Sequence, residues 1–381
     1  MRWWLEATWS KNEPCEMSGQ RIIALLGRRD TPTDAVEEYC QYLSDALEQE
    51  GFELRIERVD WSGEGHSSAL AVLKRKARGW KGLWVLVQYT ALAWSSHGFP
   101  SRFIGIVKSL RDSGVRVAVV FHDVEPYGGN RIIDRVRRRS QLRTMREALE
   151  MSEVAVLTVP AAGLSWIENQ AGKTVFIPVG ANLPVSTTAS IREHIPHDER
   201  LGIAVYGVTG GKAGVKEVKS ITDAVRFAAA RVGPLRLIVL GRNSRDSELA
   251  LETGLAGADV ELAVMGVLPG EDVVRCLSTC EVLLFVRGHI STRRGSAIAG
   301  IACGLPVVAF EGSETAAPIT EAGIALYLPE REGELGKVLA RVLGDEHYRA
   351  TLAGQSRSAQ RNYFSWPAIA KRYAELLNKQ R

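Results

Sequence analysis

The stretch that decides the fold reads Glu281-Val282-Leu283-Leu284-Phe285-Val286-Arg287-Gly288-His289-Ile290-Ser291-Thr292-Arg293-Arg294-Gly295-Ser296-Ala297-Ile298-Ala299-Gly300-Ile301-Ala302-Cys303-Gly304-Leu305-Pro306-Val307-Val308-Ala309-Phe310. The apolar run at 282–286 predicts a buried strand, and a polar loop with three arginines follows it. Small residues then predict a helix that Gly304 and Pro306 close, and a second apolar strand begins at Val307. This is a β-loop-α-β unit whose loop lies at the carboxyl end of a parallel strand. Such a loop suits an anion, because the first amides of a helix lack internal partners and carry positive partial charge.

The same alternation extends to both sides. Upstream, apolar runs predict strands over 21–26, 52–59, 83–88, 115–121, 154–158 and 174–178, with helices over 34–50, 104–113 and 131–151. Residues 181–199, with Pro184, Pro196 and a Ser/Thr run, read as a linker. A second series follows, with strands over 202–206, 235–240 and 260–265 and helices over 215–231 and 270–280. After the opening unit come a strand over 324–327 and two C-terminal helices. The fold class is therefore α/β, with two doubly wound parallel sheets. The division expected is an extension over 1–20, a first domain over 21–185, a second over 200–362 and a closing helix over 363–381. A ligand belongs beyond the carboxyl ends of the strands, in the crevice between the halves.

Composition excludes several classes. The 381 residues suffice for two domains with separate cores, and 45% hydrophobic with 24% charged residues is ordinary for a globular protein. A net charge of +4 does not imply nucleic acid. Cys15, Cys40, Cys276, Cys280 and Cys303 are scattered. Cys276 and Cys280 share a predicted helix face, but no second ligand pair accompanies them, so they read as core or surface thiols in a reducing cytoplasm. The N-terminus carries Trp3, Trp4 and Trp9 without a continuous apolar region, and no run reaches the roughly 20 apolar residues of a membrane span.

Several segments carry a resemblance. Ala302-Cys303-Gly304-Leu305-Pro306-Val307-Val308 resembles the ACGxPVV junction of glycosyltransferase family four, and the strand before it resembles that family's ADVxLxP. Gly266-Val267-Leu268-Pro269 is similar to the GxVP segment lining the nucleobase pocket. Phe364-Ser365-Trp366 through Tyr373 resembles the FSWxxIAxxY helix that crosses back onto the first domain. The resemblance implies the GT-B fold, two Rossmann-like domains facing across a cleft, and retaining transfer of a sugar from a nucleoside diphosphate donor. It departs from the family where two glutamates are usual, since Ser291 and Ala299 stand there. Hydroxyl reading is thereby weakened in favour of diphosphate clamping, and UDP, GDP, dTDP and ADP stay open as donors.

The resemblance also assigns roles. Gly295 and Ser296 offer amides to the distal phosphate, where the plainer reading is a helix cap. Arg287, Arg293 and Arg294 supply planar forks suited to phosphate oxygens. Thr209 with Lys212 or Lys216, Arg242, Gly266, Val267, Ser291 and the Gly27-Arg28 loop complete the donor side. His122 and Asp123, ending the strand over 115–121, are catalytic candidates together with Arg294. Tyr89, His97 and Glu125 are acceptor candidates. No Asp-x-Asp motif occurs, so neither a metal nor another cofactor is expected.

Seven arginines crowd one predicted helix, from Arg131 to Arg146. They read either as a solvated face or as contact with an anionic membrane, or with a lipid-linked acceptor. The implied setting is bacterial polysaccharide or glycoconjugate synthesis, in the cytoplasm or on the membrane's inner face, with a saccharide, lipid-linked or small-molecule acceptor. The rivals are a nucleotide-sugar binding subunit without turnover and a GT-B epimerase or hydrolase.

Overall fold

Every residue of β3 (Trp84–Tyr89) is buried, and so is nearly every residue of β4 (Arg116–Phe121). That is the signature of parallel strands covered on both faces. In the computed structural model, which describes residues 19–63, 65–167, 170–184, 200–331 and 333–379, they sit centrally in the first of two six-stranded sheets. Its other strands are β1 (Gln20–Leu26), β2 (Phe52–Arg58), β5 (Val154–Leu157) and β6 (Thr174–Phe176), in the order β2-β1-β3-β4-β5-β6. The second sheet contains β7 (Leu201–Tyr206), β8 (Leu235–Leu240), β9 (Val260–Gly266), β10 (Val282–Leu284), β11 (Val307–Phe310) and β12 (Ile324–Tyr327). Its order is β12-β11-β10-β7-β8-β9, and all pairings in both sheets are parallel.

Parallel neighbours need crossovers, and helices supply them. The first half uses α1 (Ala35–Glu48), α2 (His66–Ala77), α3 (Phe103–Asp112) and α4 (Ile132–Met151). The second half uses α5 (Gly211–Val232), α6 (Glu248–Leu255), α7 (Gly270–Ser278), α8 (Gly295–Ala302), α9 (Glu334–Gly344) and α10 (Glu346–Ala359). A final helix, α11 (Trp366–Lys379), packs on α1 of the opposite half. Tyr39 and Tyr373 share a buried hydrogen bond of 2.9 Å, Trp366 Nε1 donates to the Ala181 carbonyl at 2.7 Å, and the Trp366 ring stacks on Tyr42. One apolar cluster accordingly runs from the inner face of the first sheet through α11 to the second.

Four features differ from the sequence reading. Helix α5 begins at Gly211 rather than at 215, because Gly214 lets the helix approach the Thr209 carbonyl more closely than any Cβ allows. Helix α2 was not expected, since it buries mainly small residues (Ala69, Leu73, Ala77) and gives almost no apolar stripe. Helix α6 was missed also, and the C-terminal region holds three helices rather than two. The extension with its three tryptophans and most of the expected linker, over 185–199, lie outside the described residues. Among the described residues no helix is long and apolar enough to cross a membrane.

Candidate active site

The strand orders fix where a ligand can sit. Chain order reverses between β1 and β3 in the first sheet and between β7 and β10 in the second. At such a reversal the flanking connections leave toward opposite faces and open a crevice beyond the strands' carboxyl ends. Both crevices occur as cavities. The larger, about 900 Å³, lies between the halves, and the smaller recess, about 270 Å³, lies beyond β1 and β3. They adjoin, sharing Asp30, Ala35, Val36 and Asp123.

The second sheet gives the cleft its cationic wall. Gly207, directly after β7, has φ +83°, and Arg287 Nη1 lies 2.7 Å from where its Cβ would be. Only glycine leaves that guanidinium room. Arg287 Nε is buried and has no hydrogen-bond partner among the described residues. Arg294 lines the same wall and donates from Nε to the His289 carbonyl at 3.2 Å. Burial, and then the neighbouring charge of Arg293, depress its pKa to about 10. Among the described residues neither Arg287 nor Arg294 has a carboxylate at ion-pair distance. Gly295 and Ser296, at the start of α8, line the cleft beside them, and Gly295 faces open space.

Arg293 differs from its neighbours. Its Nε and Nη2 donate to Glu314 at 2.7 and 2.6 Å, a bidentate pair whose carboxylate is 3% exposed. Burial pushes Glu314 up, but Arg293, Arg294 and nearby His289 override it and hold the carboxylate far below its ordinary range. Arg293 touches the cleft with its charge already balanced. Glu314 follows β11, at a strand's carboxyl end, where the same rule that singled out Arg287 would have found it.

Several expected donor residues stand elsewhere. Ser291 is 0% exposed and does not reach the cleft surface. Its neighbour Thr292, unremarked in the sequence, donates to the Thr158 carbonyl at 2.6 Å and accepts through its own carbonyl from Val179 N at 3.1 Å, tying the arginine loop to the opposite half. Lys212 and Lys216 are exposed on α5 and do not line the cleft. The helix starts earlier than expected and carries them away from it. Thr209 and Val267 do line it, while Gly266 sits behind them with φ +74°. Arg242 lines it too, but Nη1 binds Asp30 at 2.9 Å and Nη2 binds the hydroxyl and carbonyl of Thr33, which closes the two walls together. Gly27 and Arg28 line the smaller recess rather than the cleft. A Cβ at Gly27 would lie within 2.9 Å of the Ala93 carbonyl carbon.

The opposite wall holds His122 and Asp123. Gln88 Nε2 donates to the Leu86 carbonyl at 3.1 Å, so Gln88 Oε1 faces His122 Nε2 at 2.8 Å and must accept from it. The imidazole then carries its proton on Nε2 and leaves Nδ1 as an acceptor. Burial pushes its pKa down to about 4, so the ring is neutral. Asp123 borders both cavities. Burial raises its pKa, against hydrogen bonds to Oδ2 from Ala91 N at 2.9 Å and Tyr127 Oη at 3.0 Å. The acceptor candidates fare differently. Tyr89 is 0% exposed, its ring packed on Phe103 and Phe121. His97 is exposed outside both cavities, bonded to Ser96 Oγ. Glu125 lines neither, whereas Thr90, Leu92 and Tyr127 line the recess.

The neutral His122 has a measurable consequence. Its folded pKa lies below the 6.5 of the unfolded chain, so between pH 6.5 and about 4 the unfolded state binds more protons. Stability therefore falls as pH drops through that window, by about 3 kcal/mol for this group alone, with the raised Asp123 offsetting part of it. A His122→Gln variant should show a flatter Tm over the same range. Parallel decline in both proteins would disprove the assignment.

No protein-family model matches the sequence, and no curated protein matches it. Solved structures match over nearly its whole length. The Anabaena protein HepE, solved in complex with UDP and glucose, is 14% identical and superimposes with a TM-score of 0.65, covering 94% of this chain and 100% of its own. Sucrose-phosphate synthase from Thermosynechococcus elongatus is 18% identical, with a TM-score of 0.65 over 95% of this chain and 99% of its own. A glycosyltransferase from Rickettsia africae is 12% identical, with a TM-score of 0.66 over 95% and 98%. The protein thus has the GT-B fold, two Rossmann-like domains facing across a cleft.

Proposed function

We propose that the protein transfers a hexosyl or deoxyhexosyl group from a nucleoside diphosphate sugar to an acceptor hydroxyl, with retention of anomeric configuration and without a metal ion. The observation that carries this reading is the pair Arg287 and Arg294, half-buried guanidiniums beside the start of α8, with Arg287 Nε buried and unpartnered and no carboxylate at ion-pair distance from either among the described residues. Buried charge of one sign is costly until an opposite charge arrives. A diphosphate supplies it, and HepE, which shares the fold, was solved with UDP and glucose.

As the bond from the anomeric carbon to the diphosphate breaks, negative charge grows on the leaving oxygen. Fixed guanidinium groups and α8 amides stabilise that charge more than the ground state. The acceptor oxygen bonds the anomeric carbon on the same face and its proton passes to the departing phosphate oxygen. His122 Nδ1 and the Asp123 carboxylate are hydrogen-bond acceptors that orient the incoming hydroxyl. Val267 and Leu268 flank the place of the base. The acceptor is drawn from saccharides, lipid-linked sugars or small molecules of bacterial polysaccharide or glycoconjugate synthesis, on the cytoplasmic side.

A thermal-shift series with UDP, GDP, dTDP and ADP tests the reading, since a ligand bound to the folded state alone raises Tm by mass action. One nucleotide should shift Tm with EDTA present as well as without it. No shift with any of them would refute the donor site, and a shift abolished by EDTA would refute metal independence. A second reading, a GT-B epimerase, hydrolase or binding subunit, draws on the methyl group of Ala299 in the cleft where a ribose-reading carboxylate is usual. Sugar released or epimerised without any acceptor would favour it.

A further inference from the structure

Helix α4 presents an unusual outer face. Ile132 is 81% exposed, Ile133 48% and Val136 49%, three large aliphatic side chains within five residues. Ile132, Val136, Arg139, Arg143 and Arg146 follow one another at intervals of four, three, four and three, so they form one stripe along the helix. All five are exposed, while Gln141, Thr144, Met145, Ala148 and Leu149 face inward. The stripe is therefore apolar at the start of α4 and cationic for the next turns. Of the three acidic residues on α4, Asp134 holds Arg137 and the Arg131 amide, Glu147 binds Arg143, and Glu150 accepts from Gln170 Nε2. Arg135, Arg139 and Arg146 make no ion pair among the described residues.

We infer that this face docks on an anionic lipid bilayer, with Ile132, Ile133 and Val136 entering the interface and the arginines behind them lying along the headgroups. Charge complementarity selects a lipid surface over a second copy of this chain, because two such faces would repel. An aliphatic tip leading a basic stripe matches an interface that is apolar within and anionic at its rim. The position joins the face to the recess. Arg137 Nε and Gln141 Nε2 donate to the carbonyls of His97 and Gly98, and the loop so held begins at Thr90 and Leu92 of the recess wall. Tyr127, on the recess, is bonded through its amide to Gln141. Resting on the transfer reading, this places the acceptor recess beside the bilayer and makes the acceptor a membrane-borne amphiphile.

The test is flotation of the full chain with vesicles of phosphatidylglycerol mixed with phosphatidylcholine, against vesicles of phosphatidylcholine alone. The wild-type protein should float with the mixed vesicles only. Binding should fall about a hundredfold in an Arg135→Gln, Arg139→Gln, Arg146→Gln variant. An Ile132→Ser, Ile133→Ser, Val136→Ser variant should keep binding at low salt and lose it at high salt, where the wild type still floats. Equal binding to both vesicle types, no binding to either, or variants indistinguishable from wild type would overturn the inference. Each variant is checked by its nucleotide-induced Tm shift. A retained shift shows that fold and donor cleft are intact, and loss of the shift in the wild type would count against sugar transfer alone.

Discussion

Replacing Arg294 by alanine should lower turnover by about a hundred- to a thousandfold, the usual loss when one preorganised donor to developing negative charge is removed. The side chain lines the cleft and, among the described residues, is held by one hydrogen bond to the His289 carbonyl and has no carboxylate to leave stranded. Tm should therefore stay near the wild-type value, because deleting a desolvated, unpaired cation removes a cost. Arg293→Ala should do the reverse. It strands the buried Glu314 carboxylate, a loss of about 3–5 kcal/mol for a broken buried pair, so Tm falls first and activity follows. Measuring kcat, nucleotide affinity and Tm on both variants separates the two roles. Normal turnover in Arg294→Ala would remove the basis of the proposed chemistry.

The second large effect is expected from Gly295→Asp. A Cβ at Gly295 meets nothing within 4 Å, so the substitution is sterically free. It puts a carboxylate in the first turn of α8, where negative charge stabilises a helix by about 0.3–1 kcal/mol. The same charge occupies the place proposed for the distal phosphate. The variant should melt at or slightly above the wild-type temperature yet lose nucleotide affinity by about a hundredfold or more, since like charges at close range in a desolvated cleft repel strongly. Gly295→Asn, similar in shape but neutral, should recover most of the affinity. If Gly295→Asp binds nucleotide normally, the start of α8 is an ordinary helix end.

The architecture was legible because most of the apolar runs are continuous and most are followed closely by glycine or proline. Strand β12 falls on the residues expected of it, and β4 starts one residue late. What escaped were helices without an apolar stripe, α2 above all. The sequence flags the loop after β10 because arginines there serve no core, and Arg287, Arg293 and Arg294 all line the cleft. Partnering was not readable. The sequence singles out Arg294 but does not tell Arg293 from Arg287, and only the fold shows that Glu314, some twenty residues on, balances Arg293 and that Arg287 and Arg294 have no carboxylate at ion-pair distance among the described residues. Tyr89 misled for a similar reason. It ends a strand at the right edge of the sheet, but its ring turns into the aromatic core, and the carbonyl alone takes part by accepting from the amides of His122 and Asp123.

The bonds of Thr292 to Thr158 and Val179 mean that the peptide preceding the arginines is also a pivot pin. Swinging one lobe against the other must tug on the very segment proposed to grip the leaving group. Nucleotide capture and lobe angle thus become one mechanical event, and a change in radius of gyration on adding nucleotide, absent in Thr292→Val, would be its outward sign.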